Sequence, residues 1–278
     1  MRDVAGKTAF ITGGASGIGL ALGRTFAGAG MRVMLADIET DALAAAVDSL
    51  RDLGPDVRGV TCDVSDPESV ERAAQASYTA FGKVHVVCNN AGVGGGSGID
   101  DIALDTWRWV LDVNLMGVVH GIRAFLPHIR AHGEGGHIVN TASMAGMVSG
   151  LGFSPYGASK FAVVTMSEGL AMQLKPHGIG VSVLCPGFVR TRIGDSGRNR
   201  PQRYGPRRTP DPASPAGQLA ARLAELAWSG LDPSDVARRT LAAIREDEFY
   251  VFTHPQMRDE AAERFAAILA AMDKAAAR

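Results

Sequence analysis

The chain has 278 residues, of which 46% are hydrophobic and 21% are charged, and its formal net charge at pH 7 is −1. That composition is typical of a globular protein with a sizeable core. The charge balance gives no reason to expect nucleic acid or an anionic membrane as a partner. The three cysteines, Cys62, Cys88 and Cys185, lie far apart and form no C-x-x-C pair. They are predicted to be reduced core residues rather than parts of a disulfide framework or a metal site.

The start of the chain and its hydropathy bear on where the protein resides. The first strand-like run begins by Lys7, which leaves no room for a signal peptide. No stretch is expected to approach the roughly 18 apolar residues of a membrane span. We therefore expect a cytoplasmic protein that does not cross a membrane.

Strand-like and helix-like segments alternate along the chain from about residue 5 to residue 253. The predicted strands are 7–12, 32–36, 57–62, 84–89, 137–143, 179–185 and 248–253. The predicted helices are 19–30, 40–54, 66–82, 104–133 and 156–178, and four of them are predicted to end at Gly54, Gly82, Gly133 and Gly178. This alternation predicts an α/β fold, with a doubly wound, seven-stranded parallel sheet of the Rossmann type in a single domain, 1–278.

Two segments depart from the alternation. Residues 186–217 are rich in Pro, Gly and Arg, and they predict a long irregular loop within a substrate lid that spans about 188–232. Residues 255–278 lie beyond the predicted core, about 5–253. Their alanine-rich amphipathic pattern predicts an additional C-terminal helix.

A glycine-rich stretch, TGGASGIG at 12–19, joins the first predicted strand to the first predicted helix. Gly13 would permit the tight turn, Gly17 would let the backbone approach a pyrophosphate, and Gly19 would let the helix pack against the sheet. The first N–H groups of the helix would then face the phosphates, with Ser16 and Ile18 beside them. The stretch therefore predicts a dinucleotide site, and the alternative is a plain strand-to-helix turn.

An acidic residue ends the second predicted strand. Asp37 lies 18 residues after Gly19, at a position where a carboxylate accepts hydrogen bonds from the adenosine ribose and repels a 2′-phosphate. Nothing basic stands at Ala15, Ser16 or Ile38 to bind that phosphate. NAD is therefore favoured over NADP, and the alternative for Asp37 is a solvated loop acid.

The residues after the third and fourth predicted strands are expected to lie at the same edge of the sheet as Asp37. Asp63, in CDVSD after the third strand, is predicted to meet the adenine amino group, with Val64 beside it. Residues 90–92 of the NNAG motif are predicted to pass close under a cofactor, whereas Asn89 is predicted to tie neighbouring strands together. Ligands of open α/β sheets bind at this edge, outside the carboxyl ends of the strands.

A second group of residues predicts catalysis. Tyr156 and Lys160, in YGASK, lie four residues apart at the start of a predicted helix and hence on one face. A neighbouring ammonium lowers the pKa of a phenol, so Tyr156 could exchange a proton with a substrate hydroxyl. Ser143 ends the fifth predicted strand and could orient a substrate oxygen, and Asn114 is a poor helix former inside a predicted helix. Each residue alone could be a surface or turn residue, but the combination predicts an active site.

The motifs TGGASGIG, NNAG, Asn114, Ser143, YGASK and the PG pair at 186–187 together resemble the short-chain dehydrogenases/reductases over about residues 5–253. The resemblance implies a Rossmann-type fold and a catalytic tetrad of Asn114, Ser143, Tyr156 and Lys160. Tyr156 would be the acid/base, and Lys160 would lower its pKa and bind the nicotinamide ribose. Ser143 would fix the substrate oxygen, and Asn114 would hold a proton-relay water.

The same resemblance extends to the cofactor contacts and the assembly. The segment PGFVRT, at 186–191, would cup the nicotinamide, with Val189 and Thr191 near its carboxamide. The predicted NAD contacts are Gly13, Ser16, Gly17, Ile18, Gly19, Asp37, Ile38, Asp63, Val64, Asn90, Ala91, Gly92, Tyr156, Lys160, Pro186, Gly187, Val189 and Thr191. No metal is expected, and a homodimer or homotetramer is expected because family members are commonly oligomers.

The segments that flank the tetrad predict the substrate side. VGGGSG at 93–98, MAGMVSGLGFSP at 144–155 and the long loop after the sixth predicted strand should line the pocket. Within them Met144, Met147, Leu151 and Phe153 predict an apolar wall, or else ordinary packing under a loop. Seven arginines against one acid lie between Phe188 and Thr209. They indicate either a solvated lid or a site for an anionic substrate group.

Two further segments, SGRNRPQRYG at 196–205 and the stretch 250–273, resemble a bacterial subgroup that includes the Cα-dehydrogenases of lignin-dimer breakdown. Those enzymes oxidise bulky benzylic secondary alcohols with NAD. The sequence thus predicts an NAD-dependent oxidoreductase that interconverts a small-molecule secondary alcohol, bulky or aryl, and its ketone. An NADPH-type keto or acyl reductase, which Asp37 disfavours, and a non-catalytic NAD(H)-sensing protein, which the complete tetrad disfavours, are the alternatives.

Overall fold

The computed structural model of the chain describes residues 1–95, 103–149, 154–206 and 209–277. The strands in these ranges are β1 (Thr8–Thr12), β2 (Arg32–Asp37), β3 (Val57–Thr61), β4 (Val86–Asn89), β5 (Gly136–Thr141), β6 (Ile179–Cys185) and β7 (Tyr250–Phe252). All seven are parallel and form one sheet in the order β3-β2-β1-β4-β5-β6-β7. The order reverses between β1 and β4, and this switch point opens a crevice at the carboxyl ends of the strands.

Helices cover both faces of this sheet. They are α1 (Gly17–Gly28), α2 (Thr40–Leu50), α3 (Pro67–Phe81), α4 (Leu104–Leu111), α5 (Gly117–His132), α6 (Pro155–Leu174), α7 (Pro215–Trp228), α8 (Pro233–Glu246) and α9 (Arg258–Ala276). Successive residues of β1 point to opposite faces, so Ile11 packs with Leu22 of α1, while Phe10 packs with Phe125 of α5. Both faces of the strands are therefore buried, and the doubly wound fold predicted from the sequence is confirmed.

The predicted helix ends are correct at three of the four glycines. Gly82 and Gly133 follow α3 and α5 with φ of 78° and 65°, and Gly178, at φ 65°, closes a 3₁₀ turn after α6. The prediction for Gly54 is wrong, because α2 already ends at Leu50. Gly54 is instead required by close packing, since a Cβ there would lie 2.8 Å from the Cβ of Ala27.

The predicted helix 104–133 is helical throughout but not uniform. A π-helical turn, Asp112–Met116, separates α4 from α5, and the Gly117 N–H donates to the carbonyl of Asp112. The combined run, Leu104–His132, is long and apolar enough to cross a membrane by length and composition alone, contrary to the sequence-based expectation. Half of its most apolar stretch is buried, and the ring of Phe125 lies 4.4 Å from that of Phe10 on β1. This packing is that of a core helix.

The segment predicted to be an irregular loop contains regular structure. Residues Ile193–Asn199 and Gln202–Tyr204 form 3₁₀ turns, and α7 begins at Pro215, inside the predicted loop. The signal for this start is the pair Ser214–Pro215, because the Ser214 hydroxyl accepts a hydrogen bond from the Gly217 N–H at 3.1 Å and proline suits the first helical turn. The additional C-terminal helix is present as α9, whose residues are all at least partly exposed.

Candidate active site

The carboxyl ends of the strands open into a cavity of about 1550 Å³. Its floor includes the turn from β1 to α1, where Gly13 and Gly17 have φ of 65° and 53°, in the region that favours glycine. A Cβ on Gly19 would lie 2.0 Å from the Gly13 carbonyl oxygen, so Gly19 also cannot be replaced without a shift. The turn is therefore a cradle that a side chain would fill, at the N-terminus of a helix, and it fits the pyrophosphate of a dinucleotide.

The carboxylate of Asp37 ends β2 beside this cradle. It is buried, and its oxygens accept hydrogen bonds from the N–H groups of Ala15, at 2.9 Å, and Glu39, at 3.1 Å. A carboxylate has about four acceptor positions, so Asp37 keeps capacity for a ribose hydroxyl. Ile38 lies next to it at the edge of the cavity.

Asp63 lies at the same edge, but its carboxylate already has partners. One oxygen accepts from the N–H and the hydroxyl of Ser65, at 3.0 and 2.6 Å, and the other accepts from the Arg203 guanidinium at 2.7 Å. Burial raises the pKa of Asp63, but the hydrogen bonds from Arg203 and Ser65 outweigh it and hold the pKa below its usual value. A contact between Asp63 and adenine stays a prediction. Val64 also lines the cavity.

The NNAG motif passes directly against the glycine cradle. Thr12, at the end of β1, accepts hydrogen bonds on its hydroxyl from the N–H groups of Asn90, at 2.9 Å, and Ala91, at 3.0 Å. Its carbonyl accepts a third bond from the Asn90 amide at 2.9 Å. Asn89 donates to Asn140 at 2.9 Å and so ties β4 to β5, as predicted. Thr12 was not singled out by the sequence analysis, since nothing in its local pattern separates it from other strand residues.

Asn114 lies in the π-helical turn and is completely buried. Its side-chain oxygen accepts from the Val93 N–H at 2.8 Å, and its amide donates to the Val93 carbonyl at 3.0 Å and to the Ser159 hydroxyl at 3.2 Å. It thus clamps the segment after β4 to α6. A Cβ on Gly92 would lie 3.5 Å from the Asn114 oxygen and 3.6 Å from the Lys160 ammonium, so these groups converge.

Tyr156 and Lys160 share the face of α6 that borders the cavity. The helix begins at Pro155, with the Ser154 hydroxyl accepting a capping bond from the Tyr156 N–H at 3.2 Å. The Lys160 ammonium donates to the Thr141 carbonyl at 2.8 Å and lies 5.6 Å from the centroid of the Tyr156 ring. Ser143, beyond β5, also lines the cavity, so the structure brings all four predicted catalytic residues together.

The electrostatics of the pair differ from the sequence-based expectation. Burial raises the pKa of Tyr156, and a hydrogen bond with Ser143 only partly opposes this. Burial also lowers the pKa of Lys160 to about 8. The expectation that Lys160 lowers the pKa of Tyr156 below its ordinary value is therefore wrong for the chain by itself. The physical reason is that desolvation disfavours both charged forms, and it could not be read from the spacing.

The segment Pro186–Thr191 closes the site from the end of β6. The Pro186 carbonyl accepts from the Ser143 hydroxyl at 3.2 Å and from the Met144 N–H at 2.8 Å. Val189 forms a parallel bridge with Leu231, and a Cβ on Gly17 would lie 3.0 Å from the Thr191 methyl group. The segment therefore spans from the tetrad to the glycine cradle.

Apolar side chains line the other half of the cavity. Met144 and Val148 follow β5, and Trp109 reaches it from α4. Leu219, Leu223 and Leu226 also line it; they lie on α7, which is not among the helices predicted from the sequence. Met147 packs in the core cluster beside Met144 rather than lining the cavity. Leu151, Phe153 and residues 96–98 lie outside the described residues.

Most arginines of the lid are bound to other residues of the chain. Arg190 pairs with Asp232 at 2.5 Å, Arg198 with Glu39 at 2.7 Å, and Arg203 with Asp63 at 2.7 Å. The guanidinium of Arg200 donates to the Thr106 hydroxyl at 3.0 Å and lies over the Trp109 ring. Arg192 lies 3.9 Å from Asp195, while Arg207 and Arg208 are outside the described part of the chain. Protein partners thus occupy these described arginines, and the interpretation as an anionic-substrate site gains no support.

Comparisons with known proteins agree with this geometry. The sequence model for "short chain dehydrogenase" matches residues 7–202. The chain is 33% identical to the C alpha-dehydrogenase of Sphingobium sp. strain SYK-6 over 270 residues, which cover 97% of this chain and 87% of that protein. It is 36% identical to the 1-deoxy-11-beta-hydroxypentalenate dehydrogenase of Streptomyces exfoliatus over 261 residues, 93% and 87% of the two chains. A crystal structure of a short chain dehydrogenase/reductase from Burkholderia phymatum in complex with NAD has a TM-score of 0.92 and 42% identity, over 96% of each chain.

Proposed function

Because this chain belongs to the short-chain dehydrogenase family, we propose that it interconverts a secondary alcohol and its ketone, with NAD as its cofactor. The resemblance inferred from the sequence motifs is confirmed by the family match. The observation that carries the proposal is that Ser143, Tyr156 and Lys160 line the same cavity as the glycine cradle, with Asn114 buried close to Lys160. A hydride-transfer enzyme needs these two sites to be continuous, since its cofactor must reach the reacting carbon.

The preference for NAD rests on charge at the adenosine end of the cavity. Asp37 is a buried acid held by two backbone N–H groups. Glu39, two residues on, has its pKa held below its usual value, mainly by the hydrogen bond from Arg198. Because the ion pair with Arg198 compensates the charge of Glu39, Asp37 is the carboxylate that would repel a 2′-phosphate. The relative from Burkholderia phymatum, which is in complex with NAD, supports the same choice.

In this mechanism NAD supplies the hydride acceptor for oxidation and, as NADH, the donor for reduction. Tyr156 takes the hydroxyl proton of the alcohol during oxidation and returns it to the ketone oxygen during reduction. Ser143, which lines the cavity with Tyr156, holds the same substrate oxygen. Lys160, fixed by the Thr141 carbonyl, stabilises the phenolate as it forms, and Asn114 keeps α6 in register with the segment after β4.

The substrate side favours a bulky apolar alcohol. Trp109, Met144 and the leucines of α7 line the cavity beyond Tyr156, and apolar walls of this kind bind aromatic or branched aliphatic groups by burial. The similarity to relatives named C alpha-dehydrogenase and 1-deoxy-11-beta-hydroxypentalenate dehydrogenase supports that class. We propose an aryl or polycyclic secondary alcohol.

The proposal is tested with a panel of aryl, polycyclic and short aliphatic secondary alcohols, each with NAD and NADP, followed at the absorbance of the reduced cofactor. We expect turnover of the bulky alcohols with NAD and little with NADP. Tight NADH binding without turnover of any alcohol or ketone would favour a sensing protein instead. Preference for NADP with keto or acyl substrates would favour the reductase alternative.

We also propose that the protein assembles as a homodimer or homotetramer in the cytoplasm. Helix α9 exposes Phe265, Ile268, Leu269 and Met272, which the helical repeat places on one face. A second copy of the chain would cover this face. Light scattering on the wild type and on a Leu269→Glu variant tests it, and a wild type that is monomeric at micromolar concentration would contradict the proposal.

A further inference from the structure

A buried histidine contacts the segment that closes the site. His254 follows β7, and its Nδ1 accepts a hydrogen bond from the Gly187 N–H at 3.0 Å. Its Nε2 lies 3.0 Å from the Phe188 carbonyl oxygen. Because an N–H donor faces Nδ1 and a carbonyl faces Nε2, the ring is neutral and carries its proton on Nε2, which it donates to Phe188. The sequence analysis did not single out His254.

The ring also explains why residue 187 is glycine. A Cβ on Gly187 would lie 2.7 Å from Cγ of His254 and 2.9 Å from its Cδ2. The imidazole therefore lies flat against the main chain of Gly187, closer than any side chain at that position would permit. The two residues are far apart in sequence but form one packed unit.

This unit is one of three attachments of the same short segment. Pro186 is held by Ser143 and Met144 at the end of β5. The Phe188 carbonyl accepts from the Leu231 N–H at 2.9 Å as well as from His254. The segment 186–189 is thus fixed by β5 on one side and by the residues after β7 on the other. A shift at Gly187 would move Pro186 and with it the acceptor of the Ser143 hydroxyl.

We infer that His254 is a positioning residue for the nicotinamide-binding segment 186–189, which it holds through Gly187 and Phe188. The inference rests on the proposed function, since it assigns the nicotinamide half of NAD to this segment. Burial, aided by the nearby Arg239 and opposed by the bond to Phe188, lowers the pKa of His254 and keeps the ring in its neutral form near neutral pH. Thr253, whose hydroxyl lies 2.7 Å from Nδ1, orients the ring from its own strand end.

The test separates the two halves of the cofactor. NADH contains the nicotinamide and ADP-ribose does not, so His254→Leu should weaken NADH binding by about tenfold, the value of one or two lost hydrogen bonds, and ADP-ribose binding by less than about twofold. Kd values come from NADH fluorescence titration and from calorimetry with ADP-ribose. His254→Asn, whose side-chain oxygen can accept the Gly187 N–H, should recover part of the NADH affinity.

His85 provides a matched control. It is also buried, its Nδ1 accepts from the Thr8 N–H at 3.2 Å, and its Nε2 contacts Glu134 at 3.0 Å, but it lies at the opposite ends of the strands. His85→Leu should lower the melting temperature and leave both Kd values unchanged.

Each outcome of the test is decisive. Unchanged NADH binding in His254→Leu, or equal weakening of NADH and ADP-ribose, would overturn the inference. If His254→Leu fails to fold, His254→Asn decides: selective weakening of NADH relative to ADP-ribose supports the inference, and no selectivity overturns it. A wild type that binds neither ligand would instead refute the proposed function.

Discussion

The two walls of the cavity are built in different ways. The wall at the sheet edge includes Ser143 and Lys160, and Asn114 is buried close to Lys160; all three are bonded to main-chain groups. The facing wall, residues 190–206, is joined to the rest of the protein by side-chain contacts, among them the hydrogen bond from the Tyr204 hydroxyl to Asp112 and the partly exposed ion pairs of Arg198 with Glu39 and Arg203 with Asp63. Buried hydrogen bonds fix geometry, whereas partly exposed ion pairs are weak and are screened by salt. We therefore propose that the rigid wall carries out the chemistry and that the loose wall controls access to the cofactor.

The largest expected effect comes from the rigid wall. Tyr156→Phe removes the proton-transferring hydroxyl and should reduce kcat by about 10³-fold, within the range for a lost general acid/base. NADH affinity should change little, because the ring remains. Steady-state kinetics and fluorescence titration measure the two quantities.

Tyr78→Phe is the control for this substitution. The Tyr78 hydroxyl is also in a partly buried position and donates to the Ala124 carbonyl at 3.1 Å, away from the cavity. Tyr78→Phe should therefore leave kcat unchanged. Near wild-type turnover in Tyr156→Phe would show that Tyr156 is not the acid/base. The contrast drawn between the two walls would then fail as well.

The second prediction concerns pH. Burial raises the pKa of Tyr156, so most of the phenol is protonated at neutral pH. Alcohol oxidation needs the deprotonated form, so its kcat/KM should rise with pH by up to about tenfold per unit below about pH 8. Above that pH the rise should flatten, because burial lowers the pKa of Lys160 to about 8 and the ammonium that stabilises the phenolate is then lost. Ketone reduction needs the protonated form and should stay flat over the same range. A kcat/KM for oxidation that falls between pH 6 and 7.5, below the pKa of Lys160, while the protein stays folded would contradict this assignment.

The third prediction tests cofactor choice. Asp37→Ala removes the carboxylate that would bind the ribose, so KM for NAD should rise by about tenfold, the cost of one charge-assisted hydrogen bond. The preference over NADP should shrink by at least as much, since the repulsion is also reduced. Asp41→Ala, an exposed acid in the first turn of α2, is the control. An unchanged NAD-to-NADP ratio in Asp37→Ala would refute the role given to this residue.

The sequence predicts the rigid wall far better than the loose one, for a physical reason. The turn around Gly13 and the pair Tyr156–Lys160 follow from local spacing, because a strand-to-helix turn and one helix face are each set by neighbouring residues. The contacts of His254 with Gly187 and of Arg198 with Glu39 join residues 67 and 159 positions apart. They depend on where the lid folds back, which local periodicity does not encode.

The errors have the same origin. Gly54 was predicted to cap α2, but its small size is needed against Ala27 of another helix. The direction of the Tyr156 pKa was mispredicted because the spacing reveals the neighbouring charge but not the burial that outweighs it. Tertiary packing determines both the role of Gly54 and the pKa of Tyr156, and the packing around a residue cannot be read from local sequence spacing.

The smallest expected effect concerns the loose wall. Arg198 and Asn199 both donate hydrogen bonds to the Glu39 carboxylate, at 2.7 and 2.8 Å. These bonds join the loose wall to the chain two residues after Asp37, the acid proposed to bind the adenosine ribose. Arg198→Gln should loosen this tie and speed NADH release by about two- to fivefold, because a partly exposed ion pair contributes at most about 1 kcal/mol. Stopped-flow displacement of NADH measures the rate. The rate of hydride transfer in a single turnover should not change, since the tetrad lies on the other wall.

Arg238→Gln is the matched control, because Arg238 forms an exposed ion pair with Asp235 on α8, outside the cavity. Adding salt should speed NADH release from the wild type toward the rate of Arg198→Gln and should have less effect on the variant, since the screened pair is already absent there. Glu39→Gln combined with Arg198→Gln should be no faster than either change alone, because both remove the same interaction. If the two changes are additive, or if release is unchanged in Arg198→Gln, the ion pair does not hold the lid. Closure would then have to come from the apolar contacts of α7, and the cavity would have two walls of similar rigidity.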